Sequence, residues 1–234
     1  MRRYGQYCPV AKAAEILAER WTPLILRELL FGSSRFSELQ RGIPLISRAV
    51  LIQRLHELED CGVIERRPGP RGPRREYVLT SAGTELREII ERMGEWGQRW
   101  ARKSIERGEL DAGFLMWDIH RRVNIHALPL HRVVVEFVFR GIPRDHRAAT
   151  VYWLVLNRPE VDLCLKPTGH NVDLIVKADL RALTAVWMGD ITLLDARRSS
   201  QISMDGPREL VRSFPRWLAF SPFASVPRPV PRSA

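Results

Sequence analysis

The spacing of apolar residues divides the chain into a helical first part and a second part that contains strands. In the first part apolar residues recur every three to four positions, as on one helix face, and prolines and glycines mark the ends of the runs. Thr22 is expected to cap one helix with Pro23 at its first position, and Ser47 to cap another that Gly62 terminates. The predicted helices are residues 10–17, 23–31, 37–41, 48–60 and 81–108.

Two short strands are predicted directly after the helix at 48–60. Val63 to Arg66 and Glu76 to Leu79 are expected to pair, because the intervening segment is rich in proline and glycine. Successive helices, then a hairpin, then a long helix are the order of a winged helix-turn-helix with an added dimerisation arm. In such modules the second helix of the helix-turn-helix enters the major groove of DNA.

From His131 onward the apolar period changes from helical to alternating, which is the period of a strand. Four strand-like runs, a helix that stops at a glycine, a fifth strand and a final helix follow. We therefore expect an α+β fold, in which an antiparallel sheet is covered by helices. The predicted divisions are a DNA-binding and dimerisation domain at 1–108, a helical connector at 109–130, the α+β domain at 131–226 and a disordered tail at 227–234.

The charge balance favours a nucleic-acid partner. The net charge is +10, and the excess is almost entirely arginine, whose planar fork suits phosphate and guanine. The three cysteines are far apart, so we expect neither a disulfide framework nor a metal site. Without a signal-like or membrane-spanning run, the chain is expected to be cytoplasmic and to stay away from membranes.

The helix at 48–60 carries the predicted contacts to base edges. Its leucines are expected to face inward, which leaves Arg48, Ala49, Ile52 and Gln53 pointing outward. Arg48 suits a guanine, and Gln53 suits an adenine or a phosphate. Arg54 is assigned to a phosphate or to an acid of the chain itself. The predicted DNA contacts are Arg35, Ser47, Arg48, Ala49, Gln53, Arg54, Arg71, Arg74 and Arg75.

Between positions 66 and 75 the hairpin holds five arginines and no acid. Such a loop is either a solvated basic surface or an anchor on the DNA backbone or in the minor groove. Its place directly after a helix-turn-helix favours the second interpretation.

Residues 8 to 100 resemble the HxlR-type winged-helix regulators. The matching segments are CPVAKAAEIL, ERWTPLILRELLFGSSRFSEL, ISRAVLIQRLHELEDCGVIERR and REYVLTSAGTEL. The resemblance implies a homodimer, joined through its N-terminal and long helices, on a pseudo-palindromic operator. It also places Cys8 where members of this family commonly have a cysteine, which in some of them senses oxidants or electrophiles. A small hydrophobic side chain at the first helix is the other interpretation of Cys8.

The second part contains no catalytic pattern, so we expect no enzyme. The segment VDLIVKADLRALTAVWMGDI resembles the sterol carrier protein 2-like fold, which implies an apolar tunnel between sheet and helices. The residues expected near such a tunnel are Trp153, Leu183, Trp187, Met188, Leu210, Phe214 and Trp217. Ordinary core packing is the alternative for each of them.

Together these patterns predict a DNA-binding transcriptional regulator modulated by a small hydrophobic ligand in its second domain. One alternative is a redox sensor that acts through Cys8 and has a purely structural second domain. Another is a lipid-binding or enzymatic protein with a basic module. A third is a chromosome-associated protein without sequence preference.

Overall fold

The computed structural model describes residues 4–69, 75–143 and 149–228. The chain divides between Gly94 and Glu95 into two units, and each unit has its own apolar core. None of the helices in the described ranges is long and apolar enough to cross a membrane.

The first unit contains a run of helices followed by a hairpin. Its elements are α1 (Pro9–Leu17), α2 (Thr22–Leu30), α3 (Phe36–Gly42), α4 (Arg48–Asp60), β1 (Ile64–Pro68), β2 (Arg75–Leu79), α5 (Ser81–Glu85) and α6 (Arg87–Trp96). The two strands pair antiparallel, with Ile64 opposite Leu79 and Pro68 opposite Arg75. The predicted order of helices and hairpin is confirmed.

The core of the first unit is built from α2, α3 and α4. Leu51, Leu55 and Leu58 of α4 are buried together with Leu26 and Leu39. This packing confirms the leucine face predicted from the spacing in α4. Burying each such side chain stabilises the fold by about 1.5–3 kcal/mol, so α4 is held firmly in one rotation about its own axis.

The start of α2 differs from its prediction. Thr22 is the first residue of the helix and is buried, and Trp21 occupies the N-cap position with a φ of 79°. No side chain accepts a cap hydrogen bond there. The prediction that Thr22 caps α2 is therefore wrong, because the helix already includes Thr22 and the N-cap position falls one residue earlier, on Trp21.

A buried carboxylate joins α2 to the end of α3. Glu28 is fully buried and accepts hydrogen bonds from Arg27 (Nη2–Oε1, 2.8 Å) and Ser33 (Oγ–Oε2, 3.2 Å). Arg27 Nη2 also donates to the carbonyl oxygen of Gly42, at 2.8 Å. A Cβ at Gly42 would lie 1.8 Å from Glu28 Oε2. Glycine is thus required where α3 leads into the turn before α4.

The long helix predicted at 81–108 is interrupted and shorter. After α5 and α6 the chain forms a π-helical turn at Gly97–Ala101, and the next helical residues are a 3₁₀ turn at Arg107–Glu109. Gly83 packs so closely on the hairpin that a Cβ would lie 2.2 Å from the carbonyl oxygen of Val63. This close approach explains the glycine, while apolar spacing alone does not reveal the break between α5 and α6.

The second unit is a five-stranded sheet with helices, counted over the described residues. Its elements after the 3₁₀ turn are α7 (Ala112–Arg121), a 3₁₀ turn (Ile125–Ala127), β3 (Val133–Arg140), β4 (Val151–Asn157), β5 (Glu160–Cys164), β6 (Leu174–Asp179), α8 (Leu180–Trp187), α9 (Leu193–Arg198), β7 (Ile202–Asp205) and α10 (Arg208–Trp217). The strand order across the sheet is β5, β4, β3, β6, β7.

The α+β class is confirmed, but the predicted antiparallel sheet is wrong. β3 and β6 run parallel, with Val135 opposite Leu174, and the other strand pairs are antiparallel. The chain crosses from edge strand β5 to the far side of β3 before it forms β6. Alternation of apolar residues reveals a strand but not the direction of its partner, so the sequence did not distinguish the two arrangements.

Helices pack on one face of this sheet. The side chains of β3 at Val133, Val135, Phe137 and Phe139 share a core with residues of α7, α8 and α10. The predicted glycine stop after α8 is confirmed at Gly189, whose φ is 78°. In the segment predicted to be disordered, Arg228 lies 2.8 Å from Asp190, and residues 229–234 lie outside the described ranges.

Candidate nucleic-acid interface

The outward face of α4 is the best-defined candidate surface. Ser47 accepts a hydrogen bond at Oγ from the backbone N–H of Val50 (3.3 Å), which confirms the predicted cap and fixes the start of the helix. Because the leucine face is buried, the side chains on the opposite face of the first two turns point away from the core. The exposed residues of α4 nearest its N-terminus are Arg48, Ala49, Ile52, Gln53 and His56.

Arg48 is exposed, but its guanidinium contacts another side chain of the same unit. Its guanidinium carbon lies 4.9 Å from the centre of the Phe36 ring, a cation–π contact between α4 and α3. Such contacts at exposed sites stabilise by about 0.5–1 kcal/mol. The contact orients the guanidinium while leaving its donors on the surface.

Gln53 is held by its neighbour one turn later. Its Nε2 donates to Glu57 Oε1 at 3.0 Å. Burial acts to raise the pKa of Glu57, but hydrogen bonds from Arg54 and Gln53 outweigh that effect and hold this pKa below its ordinary value. Glu57 is therefore an anionic acceptor at neutral pH, and it restricts the amide of Gln53.

Arg54, which the sequence placed among the DNA contacts, is engaged within the first unit. Its side chain is 15% exposed and lies 2.8 Å from Glu19 Oε2. It also pairs with Glu57 and donates to the carbonyl oxygen of Arg20 at 3.2 Å. Arg54 thus ties α4 to the α1–α2 turn, so we no longer assign it to DNA.

Arg35 lies at the start of α3 and faces the hairpin. Its Nε is 3.2 Å from Glu76 Oε1, and its side chain is 42% exposed. Its backbone N–H donates to Glu38 Oε2 at 3.0 Å. A contact from Arg35 to DNA would have to compete with Glu76.

The hairpin arginines fall into paired and exposed groups. Arg66 donates to Glu59 through Nε at 2.9 Å, and this hydrogen bond holds the pKa of Glu59 below its ordinary range. Arg67 pairs with Glu65. Arg75 is exposed and has no ion pair within the described ranges. Arg71 and Arg74 lie outside the described residues.

Comparison with known proteins agrees with this architecture. A family model described as "HxlR-like helix-turn-helix" matches residues 16–105. The uncharacterized HTH-type transcriptional regulator YvaP of Bacillus subtilis is 43% identical over 98 residues, which are 41% of this chain and 91% of that protein. The chain belongs to the HxlR-like helix-turn-helix family. Its relatives are transcriptional regulators, a class that is generally not enzymatic.

Two further matches cover the same part of the chain. The HTH-type transcriptional regulator YodB of B. subtilis is 38% identical over 40% of this chain and 85% of that protein. A solved structure described as the redox regulator HypR in its oxidized form is 30% identical, covers 42% of this chain and all of that one, and has a TM-score of 0.38. The family matches thus concern about two fifths of the chain.

The surface that the HxlR-like match covers also contains exposed apolar residues. Leu45, in the turn between α3 and α4, is 75% exposed, and Ile52 of α4 is also exposed. His56 follows one turn later on the same helix face. The outward position of Ile52 was predicted, although Ile52 was not assigned a contact, whereas Leu45 and His56 were not predicted on this surface. The sequence does not reveal the exposure of Leu45. Leu45 stands in a short apolar run, at positions 43–46, in which a neighbouring residue could equally well have faced solvent.

The cysteines lie in different settings. Cys8 is half-buried at the N-cap of α1. Desolvation, followed by the charges of Asp60 and Glu57, raises the pKa of the Cys61 thiol at the end of α4. Desolvation and Asp162 likewise raise the pKa of Cys164. The described residues contain no cluster of metal-ligating side chains.

The residues predicted near a tunnel do not all lie together. Leu183, Trp187, Leu210, Phe214 and Trp217 are buried in the core of the second unit, and Met188 packs against it. Trp153 lies on the opposite face of the sheet, where its Nε1 donates to Glu136 Oε2 at 2.9 Å. Its assignment to a pocket beside the helices is therefore wrong, because neighbouring residues of a strand point to opposite faces.

Arg54→Gln should lower the free energy of unfolding by about 1.5–3 kcal/mol, because its charged hydrogen bonds to Glu19 and Glu57 are lost. Arg48→Gln, which loses the contact with Phe36, should cost about 1 kcal/mol or less. Urea unfolding followed by circular dichroism measures both. A stable Arg54→Gln protein that has lost DNA binding would restore Arg54 as a DNA contact.

Proposed function

We propose that this chain is a sequence-specific transcriptional regulator that binds a pseudo-palindromic DNA operator as a homodimer. The observation that carries the proposal is the outward face of α4. This face presents the guanidinium of Arg48 and the amide of Gln53, each held by a neighbouring side chain, beside exposed apolar side chains. The opposite face of the helix is buried in the core. The net charge of +10 suits a phosphate-bearing partner.

Each exposed group on α4 matches a feature of the major groove. Arg48 can donate two hydrogen bonds to a guanine, and Gln53 can pair with an adenine through the part of its amide that Glu57 does not hold. Leu45 and Ile52 suit the methyl group of thymine. Ser47 and the N–H groups at the start of α4 suit a phosphate, and Ala49 allows the backbone to approach closely.

The hairpin supplies contacts that do not depend on base sequence. Arg75 is exposed at the start of β2, and in the sequence it directly follows the segment that contains Arg71 and Arg74. We assign these three arginines to the DNA backbone or the minor groove. Arg35 is assigned to a phosphate that replaces Glu76 as its partner.

The homodimer is supported by two helices that lack cover. No residue of α1 is buried. On α6, Met93 and Trp96 are 55% and 61% exposed, and Ile89 lies on the same face one turn earlier. Apolar stripes of this kind mark interaction sites, and a large aromatic residue is a common anchor in them. A second copy of the chain would cover both helices symmetrically.

Arg48→Ala should reduce the preference for the operator over random duplex by about 5- to 150-fold, which corresponds to the loss of one bidentate base contact. Arg75→Ala is the matched control, since loss of a phosphate contact weakens binding to both duplexes alike. Fluorescence anisotropy on the chain's own promoter and a scrambled duplex of equal length measures both. Equal losses on the two duplexes for Arg48→Ala would contradict its role as a base reader.

For the second unit we propose a sensor of a small hydrophobic molecule, in a domain of the sterol carrier protein 2-like type. Trp217 supports this, because its buried indole N–H has no hydrogen-bond partner in the described part of the chain. The rings of Phe214 and Trp217 lie 5.8 Å apart in the same core, so a ligand must displace side chains to enter. Native mass spectrometry and displacement of a fluorescent fatty acid test the idea. If neither experiment detects a bound molecule, the sensor proposal fails and the second unit has a purely structural role.

The redox alternative rests on the half-buried position of Cys8 at the N-cap of α1, a helix that we place in the dimer interface. Oxidation there would alter the dimer and hence the spacing of the two α4 helices. The test compares operator affinity before and after diamide treatment, with Cys8→Ser as the control. Affinity that does not respond to diamide excludes this alternative.

A further inference from the structure

A row of arginines runs along the outer face of α10, in the second unit. Arg208, Arg212 and Arg216 occur at every fourth position and are all exposed. At 1.5 Å of rise per residue the row extends about 12 Å along the helix. We call these three residues the α10 arginine stripe.

The stripe is presented on a rigid support. Leu210, Phe214 and Trp217, on the opposite face of α10, are buried in the core of the second unit. The backbone positions of the three arginines therefore keep a fixed spacing. A helix with one face in the core and three cations on the other is a preformed surface for a row of negative charges.

The charges of the stripe are not used inside the protein. Within the described ranges none of the three arginines takes part in a salt bridge or side-chain hydrogen bond, and Glu209 at the edge of the row is the helix's one acid. Other arginines of the same unit are paired: Arg121 lies 3.0 Å from Asp118, and Arg102 lies 2.7 Å from Asp190. Like charges side by side on a helix destabilise it slightly, so their repetition favours an external anion.

The excess of positive over negative charge is also not confined to the helix-turn-helix. Residues 95–234 contain 21 lysines and arginines against 15 aspartates and glutamates. The second unit thus contributes to the attraction of polyanions, although its residues beyond position 105 lie outside the segment that the family model matches.

We propose that the α10 arginine stripe binds phosphates of the DNA that flanks the operator, without reading its sequence. This inference rests on the proposed function, because binding of the operator by α4 holds flanking DNA at high local concentration. Guanidinium groups pair with phosphate oxygens through two parallel hydrogen bonds, which suits arginine rather than lysine at all three positions.

Two other partners fit the stripe less well. A helix that binds a membrane surface needs a free apolar face, and the apolar face of α10 is buried in its own core. A protein interface usually has an aromatic or aliphatic anchor at its centre, and the exposed face of α10 carries none between the arginines. A regular row of cations without an apolar anchor is complementary to the regular row of phosphates along DNA.

The test uses the full-length chain with Arg208→Gln, Arg212→Gln and Arg216→Gln combined. We expect the slope of log affinity against log salt, on a long duplex with the operator at its centre, to become shallower by about 2 to 3, since each phosphate contact contributes about 0.9. Arg212→Gln alone should change the slope by about 0.9. The preference for operator over random duplex should not change.

The matched control removes three exposed cations from other parts of the same unit, by Arg132→Gln, Lys166→Gln and Lys177→Gln. A slope that stays at the wild-type value in the stripe variant, or that falls equally in the control, overturns the proposal. If instead the wild-type chain does not distinguish operator from random duplex, the proposed regulator function fails. The difference between stripe and control variants still decides the role of α10 in that case.

Discussion

The candidate reading surface depends on the burial of one face of α4. Leu51, Leu55 and Leu58 lie in the core with residues of α2 and α3, which fixes the rotation of the helix. The helical period then decides which residues face outward, and these include Arg48 and Gln53. Arg48 and Gln53 themselves contribute little to the packing that holds α4 in place. Their positions are consequences of packing on the opposite side, so a base-reading residue can be exchanged without refolding the unit.

Some arginines form ion pairs within the protein and others are exposed and available to DNA, and the amino-acid composition does not distinguish the two groups. Arg54 and Arg66 are neutralised by carboxylates and hold elements of the first unit together. Arg48 and Arg75 are exposed, as is the α10 arginine stripe in the second unit. The net charge of +10 is therefore a poor measure of the charge that meets DNA. The location of the acids decides which cations remain available.

Local features of the fold were predictable from the sequence, and long-range ones were not. The cap at Ser47 and the leucine spacing of α4 depend on residues a few positions apart, and both are confirmed. The parallel pairing of β3 with β6 joins strands about 40 residues apart. No periodic signal records such a pairing. An acid of the chain was one of the two partners predicted for Arg54, but the sequence does not identify Glu19 as that acid, because Glu19 lies in another helix–turn segment.

The central claim is that two α4 helices of one dimer read two half-sites together. The most direct measurement is the affinity for an operator whose half-sites are moved apart by half a helical turn, compared with a full turn. Half a turn, about 5 base pairs, rotates one half-site to the opposite side of the DNA, so we expect the affinity to fall to the non-specific level. Affinity that does not depend on this spacing would contradict the account, because it would mean that each chain reads its site alone.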